Sequence, residues 1–262
     1  AAAGFTLLIL VGAGLLRLPA SLMPGRELSW MEALFTATSA ATVTGLSVQD
    51  TASHFSQFGY WVIGVLMQVG ALMAMIFSCC LLMGSSRGIS GGTTGGTSGG
   101  LVWRIVRVVL GIELVGAVLL MPVYGLGGGV FHAISAFCQG GFDLTGSSMA
   151  GQRYAMSTHV VMVGLILLGG AGFPVLACRK QFPGHARVVL MTMAGLHLAG
   201  VVVLVGGELM PYVSDQLHLN VTANRTAPDL LTGRRLGAMV ADASFLSVSA
   251  RSAGFYAMPM DE

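Results

Sequence analysis

Apolar residues along this chain fall into long runs that alternate with shorter ones. A helix needs about 20 mostly apolar residues to cross a bilayer. The segments 5–24, 58–83, 105–124, 159–178 and 188–207 meet that length and are predicted to span. Between them lie 28–41, 129–138 and 237–250, each apolar but too short to cross. Each short stretch leads into a glycine-containing break: TVTGLSV, CQGGFDL and RSAGFYA. The order long, short, break, long recurs, and the glycines Gly45, Gly141 and Gly254 are spaced roughly every hundred residues, the mark of an internal repeat.

A short helix that enters a membrane and turns back leaves unpaired backbone groups that hydrocarbon cannot satisfy. Such backbone survives only where protein buries it or where it lines a watery cavity. Repetition of the unit therefore predicts a shared cavity. The first short helix has its own start signal, since Ser29 followed by Glu32 fits a capping box. Its C-terminus, near Ala41, then carries the negative end of the helix dipole, which favours a cation.

Composition fits this reading. The chain is 54% hydrophobic and 9% charged, against roughly 25% charged in a soluble domain, so most of its surface must face lipid. The net charge of +2 and the scattered basic residues argue against a nucleic-acid partner. Cys79, Cys80, Cys138 and Cys178 lie in or beside apolar runs, without disulfide or zinc spacing. The opening run AAAGFTLLILVGAGLL lacks a basic leader, so it reads as a first spanning helix whose natural start is missing rather than as a signal peptide. With the N-terminus cytoplasmic, the short inner loops hold Arg87, Arg104, Arg107, Arg179, Lys180 and Arg187 and no acid; the outer segments also carry Arg225, Arg234 and Arg235, so the positive-inside rule is obeyed by density. The acids Glu27, Glu32, Asp50, Asp143, Glu208, Asp215, Asp229, Asp242, Asp261 and Glu262 fall on the outer side or in the short segments, where they would concentrate cations.

The breaks carry the chemistry. Potassium filters of the TVGYG kind replace the ion's water shell with backbone carbonyls. Here the candidate filter residues are Thr42, Val43, Thr44 and Gly45, then Cys138, Gln139, Gly140 and Gly141, then Arg251, Ser252, Ala253 and Gly254. Side chains differ between copies, as expected when carbonyls do the coordinating, and glycine opens backbone conformations closed to other residues.

The stretches WMEALFTATSAATVTGLSV (30–48), FHAISAFCQGGFDL (131–144) and FLSVSARSAGFYA (245–257), with LMQVGALM (66–73) and GGAGFPVL (169–176), resemble the TrkH/KtrB/HKT superfamily of potassium transporters. The resemblance implies an all-α, potassium-channel-like membrane fold in which helix–pore loop–helix units surround one pore. It implies K+ as the transported ion, no organic cofactor and no enzymatic chemistry. It also implies a homodimer in the cell membrane, in contact with lipid and with a cytosolic nucleotide-binding regulatory subunit. In some plant members a serine in the first loop accompanies sodium preference; all the loops here keep glycine, which implies potassium. On this reading residues 1–84 form a first unit, 85–104 a Gly/Ser-rich cytoplasmic loop, 105–180 a second unit and 181–262 a third, truncated after its pore loop. A second helix for the third unit and a fourth unit are not seen, so the chain reads as a fragment or as one completed by a partner.

Other features compete for attention. Arg251 stands in a cation path and is expected to point away from it, bracing the loop or pairing with Asp242. Glu113 is an acid inside a span, a functional candidate by default, though pairing with Arg104 or Arg107, or a place near water, is the plainer expectation. Ser86 and Ser98 match G-x-S-x-G but lack the strand–turn–helix context of a nucleophile. His132 and His197 are expected to be packed or hydrogen-bonded. Asn220 and Asn224 begin glycosylation sequons. The alternatives are a transporter of another cation such as sodium, a broken-helix transporter of another substrate, and a non-conducting membrane subunit.

Overall fold

A computed structural model describes residues 2–87, 98–146, 156–178, 183–216, 233–252 and 255. The described residues are helical throughout their ordered elements: α1 (Ala2–Leu16), α2 (Trp30–Thr42), the short α3 (Thr51–His54), α4 (Gln57–Arg87), α5 (Ser98–Cys138), α6 (Met156–Cys178), α7 (Pro183–Gln216) and α8 (Gly233–Ser252). Extended pairing among them is limited to an isolated bridge between Leu22 and Phe55.

Among the described residues, four segments are long and apolar enough to cross a membrane: Gln57–Leu81, Val102–Cys138, Ser157–Leu176 and Pro183–Gly207. The predicted first span, 5–24, is shorter than expected because α1 stops at Leu16. Leu18 is extended ahead of Pro19, as proline imposes on its predecessor. Arg17 also turns outward, its Nε donating to the Leu28 carbonyl at 3.2 Å and its guanidinium lying 4.3 Å from the Trp30 ring centre.

The predicted boundary between the span 105–124 and the short helix 129–138 is a kink inside α5. Gly125 has φ 71° and ψ 177°, a conformation that folds the second limb back beside the first. The limbs close tightly, since a Cβ on Gly129 would lie 2.9 Å from the Ala117 carbonyl oxygen. A second kink falls at Gly172 in α6 (φ 73°, ψ 160°), just before Pro174.

The elements pack in groups. Helices α1, α2 and α4 pack together, both limbs of α5 pack on α6, and α7 packs on α8. These groups join through α4 against α5 and α6 against α8. Phe131, Phe137, Phe173, Phe245, Ile63 and Met67 are fully enclosed, while Leu114, Val115, Val202 and Val203 face outward. Lipid tails are as apolar as leucine, so helices in a bilayer associate through close packing rather than hydrophobic exclusion. Glycine supplies that closeness at the site below.

Candidate functional site

The first two breaks share one backbone. At the end of α2, the Val43 amide donates to the Ala40 carbonyl and the Thr44 amide to the Ser39 carbonyl, at 3.3 and 2.9 Å. At the end of α5, the Gln139 amide donates to Ala136 and the Gly140 amide to Ser135, at 3.2 and 2.7 Å. Both are Schellman caps, a motif that ordinarily places glycine at its left-handed position. Here that position is Val43 (φ 57°) in one copy and Gln139 (φ 64°) in the other. A β-branched residue there is a genuine outlier, and such strain persists only where surrounding structure imposes it. Two residues later each chain turns left-handed again, at Gly45 (φ 75°) and Gly141 (φ 67°).

The caps consume the carbonyls of Ser39, Ala40, Ser135 and Ala136. Among the described residues, no hydrogen bond ends on a backbone carbonyl of 42–45 or 138–141. Those oxygens have cation-binding chemistry to offer.

The two breaks also meet. A Cβ added to Gly45 would stand 2.8 Å from the Gly140 oxygen and 3.4 Å from the Gly141 Cα. The helix that follows each break presses on the cap with a glycine. A Cβ on Gly70 of α4 would fall 1.9 Å from the Ala41 oxygen, and one on Gly169 of α6 would fall 1.8 Å from the Phe137 oxygen. Ala41 and Phe137 hold the same place in the two copies, two residues beyond Ser39 and Ser135. The bulk of Phe137 is no obstacle, because its ring is fully buried.

Side-chain bonds fix each break differently. In the first, the Thr44 hydroxyl lies 3.1 Å from the Ser39 hydroxyl and the Thr42 hydroxyl donates to the Thr38 carbonyl at 2.7 Å. In the second, the Ser135 hydroxyl donates to the Phe142 carbonyl at 2.8 Å, and the Gln139 amide donates to the Ile166 carbonyl of α6 at 3.2 Å. His132 then binds Asp143 at 2.9 Å and the Gly128 carbonyl at 2.8 Å, and it stacks on Tyr124. His132 is thus buried and hydrogen-bonded, as expected.

In the third unit, Ala253 and Gly254 lie outside the described residues, as do the side chains of Arg251 and Ser252. One bond carries the pattern across: the buried Ser249 hydroxyl donates to the Phe255 carbonyl at 2.6 Å, matching Ser135 and Phe142. The Ser86 and Ser98 side chains and the sequons at Asn220 and Asn224 also fall outside the described residues.

The capping box at α2 is present in both directions. The Glu32 amide donates to the Ser29 hydroxyl, and the Ser29 amide donates to the Glu32 carboxylate at 2.8 Å. The Gln49 amide adds a bond to that carboxylate at 2.7 Å. The bonds from Ser29, with that from Gln49, hold the Glu32 carboxyl down at about 2.

The expected pairing of Glu113 with Arg104 or Arg107 is not what the structure holds. Glu113 is buried and receives the Cys138 thiol at 3.6 Å. Helical rise is about 1.5 Å per residue, which sets both arginines at least a turn and a half away along α5. Arg107 instead bonds the Trp103 carbonyl. Sequence reasoning also missed the left-handed positions at Val43 and Gln139. The paired glycines Gly70 and Gly169 were visible in LMQVGALM and GGAGFPVL, but their seats were not.

These features define an all-helical, multi-pass membrane protein. Residues 102–179 match the TrkH family, described as cation transport protein. The chain is 30% identical to the potassium/sodium uptake protein NtpJ of Enterococcus hirae over 98% of its own length and 59% of that protein. It is 40% identical to the Ktr system potassium uptake protein B of Bacillus subtilis, over 72% of this chain and 48% of the relative. Its fold matches the potassium transporter TrkH from Vibrio parahaemolyticus with a TM-score of 0.66 at 18% identity, covering 98% of this chain and 52% of the other. The chain belongs to the TrkH/KtrB superfamily, a family of transporters rather than enzymes. It spans about half to three-fifths of the length of these relatives.

Proposed function

We propose that this chain forms part of a potassium uptake protein, in which the carbonyls of 42–45, 138–141 and 251–254 replace water around a dehydrated K+. The observation that carries this reading is the repeated capped break. Among the described residues, two copies show no hydrogen bond on the corresponding carbonyls, and they abut at Gly45 and Gly140. The dipole of each capped helix adds its negative end at the same place. The division into units at 1–84, 105–180 and 181–262, with 85–104 as an inner loop, follows from the same repeat. We place the N-terminus in the cytoplasm, from the basic residues of the inner loops. The whole protein would then be a homodimer in the cell membrane, with a cytosolic nucleotide-binding regulator against those loops.

Sodium is the second reading, favoured by the Enterococcus relative, a potassium/sodium uptake protein. The test is potassium-dependent growth and ion uptake in cells that lack their own potassium uptake, using the full-length gene. Gly141→Ser puts a side chain on a left-handed residue, a conformation that costs roughly 1–2 kcal/mol for a residue with a Cβ. The variant should lose most of its preference for K+ over Na+. A full-length protein that moves Na+ and no K+, or a Gly141→Ser variant with unchanged preference, overturns the potassium filter.

A further inference from the structure

Glu113 has no role in the carbonyl filter as described above, yet it sits behind the second break. An acid at membrane depth is costly and is kept where it has a partner. Its surroundings come from separate elements: α4 contributes Gln68, the first limb of α5 contributes Glu113 itself, and the end of the second limb contributes Cys138. The Cys138 thiol lies 3.6 Å from Glu113 Oε1 and 3.9 Å from Gln68 Oε1. The Gln68 nitrogen is buried and meets no hydrogen-bond partner among the described residues. Cys138 is the last residue of α5, immediately before the left-handed Gln139. Whatever holds its side chain holds the orientation of the peptide where the helix gives way to the break.

We infer that Glu113 is a positioning residue for ion selectivity, gripping Cys138 from behind so that the 138–141 carbonyls keep their spacing. The inference rests on the potassium-filter reading. Gln139 is held on the other side by the Ile166 carbonyl, so the break is clamped between α6 and the Glu113 carboxyl. Gln68 extends the clamp to the first unit. In the first break, Thr42 and Thr44 are tied within α2 and its own cap.

The test compares K+ and Na+ uptake by full-length wild type, Glu113→Ala, Glu113→Gln, Cys138→Ala and the Glu113→Ala/Cys138→Ala double variant, at matched membrane abundance. Leaving a buried polar partner unsatisfied costs enough to change a ratio by about fivefold or more. Glu113→Ala should therefore lower K+ preference by about that factor, while Glu113→Gln, whose carbonyl still accepts from the thiol, should retain most of it. The double variant should be no worse than the worse single, because both act through one contact. If Glu113→Ala fails to reach the membrane, Glu113→Leu, which also removes the acceptor but fills the space, takes its place in the cycle with Cys138→Ala. Unchanged K+ preference in the Glu113 variants, or additive effects of the pair, overturns the positioning role. Gly141→Ser, run alongside, separates the two ideas. If it shifts the preference while the Glu113 variants do not, the filter stands and the clamp falls; if it shifts nothing, both fall.

Discussion

The first and second breaks have the same main chain and different anchors. Both end in a Schellman cap, both put a non-glycine residue in the left-handed region, and both receive a glycine from the following helix on an equivalent carbonyl. Around that constant, the first break is tied locally, by threonines bonding within α2 and its cap. The second, besides its own local bond from His132 to Asp143, is tied to distant segments, through Gln139 to α6 and Cys138 to Glu113. Main-chain geometry is thus what the repeat preserves, and side chains are free to hold it by whatever partners each unit offers. The carbonyl site proposed here would permit this, because backbone oxygens are common to every residue type.

That comparison can be broken most severely at the shared contact. Gly70→Ala and Gly169→Ala each set a methyl group less than 2 Å from a carbonyl oxygen. Overpacking of this kind costs typically 1–3 kcal/mol, and with backbone on both sides we expect the upper end, about 3 kcal/mol, for both. Thermal denaturation of the full-length protein in detergent should show similar falls in Tm for the two variants. A large fall for one and none for the other would mean the copies are not equivalent.

The anchors can then be separated. Gln139→Leu removes the bond to Ile166 and should cost about 1 kcal/mol, with a measurable fall in K+ preference. Thr44→Val removes the contact with the Ser39 hydroxyl but leaves the amide bond of the cap. Its cost should stay near 0.5 kcal/mol, the low end for a hydrogen bond, with little change in ion preference. Equal effects in an uptake assay would erase the distinction between local and cross-fold anchoring.

The smallest effect is expected at the start of α2. The Glu32 carboxyl is pulled from its ordinary 4.5 to about 2 by the capping bonds. A lowered carboxyl pKa contributes stability that is complete above the unfolded value and is lost as pH falls through the folded one. The difference in Tm between wild type and Glu32→Ala should be constant above pH 4.5 and should shrink as pH falls from 4.5 toward 2. A difference that grows on acidification would contradict the capping-box assignment.

Much of this architecture was legible in the sequence. Run length separated spans from short helices, and Ser29 with Glu32 announced the box that is there. The kink dividing span from short helix in α5 was implied by length, although its residue, Gly125, was not singled out. The early end of α1 was readable from Leu18-Pro19, but the apolar residues on either side outweighed it. What stayed hidden depends on contacts between distant segments. Neither valine nor glutamine favours a left-handed backbone, so Val43 and Gln139 carry no local signal; the strand of chain is held there by the cap and by the helix pressing on it. Glu113 invited pairing with arginines near it in sequence, whereas its partner arrives from the far end of the same helix, brought back by the turn at Gly125.

The seating of Gly70 on Ala41 and of Gly169 on Phe137 has a mechanical meaning. Peptide touches peptide there, with no rotatable group between. The gap is therefore set by atomic radii, like a machined shim, and not by how neighbouring side chains settle. Substitutions nearby can repack without altering the seating of either break, and that spacing should vary little as lipid composition or temperature changes.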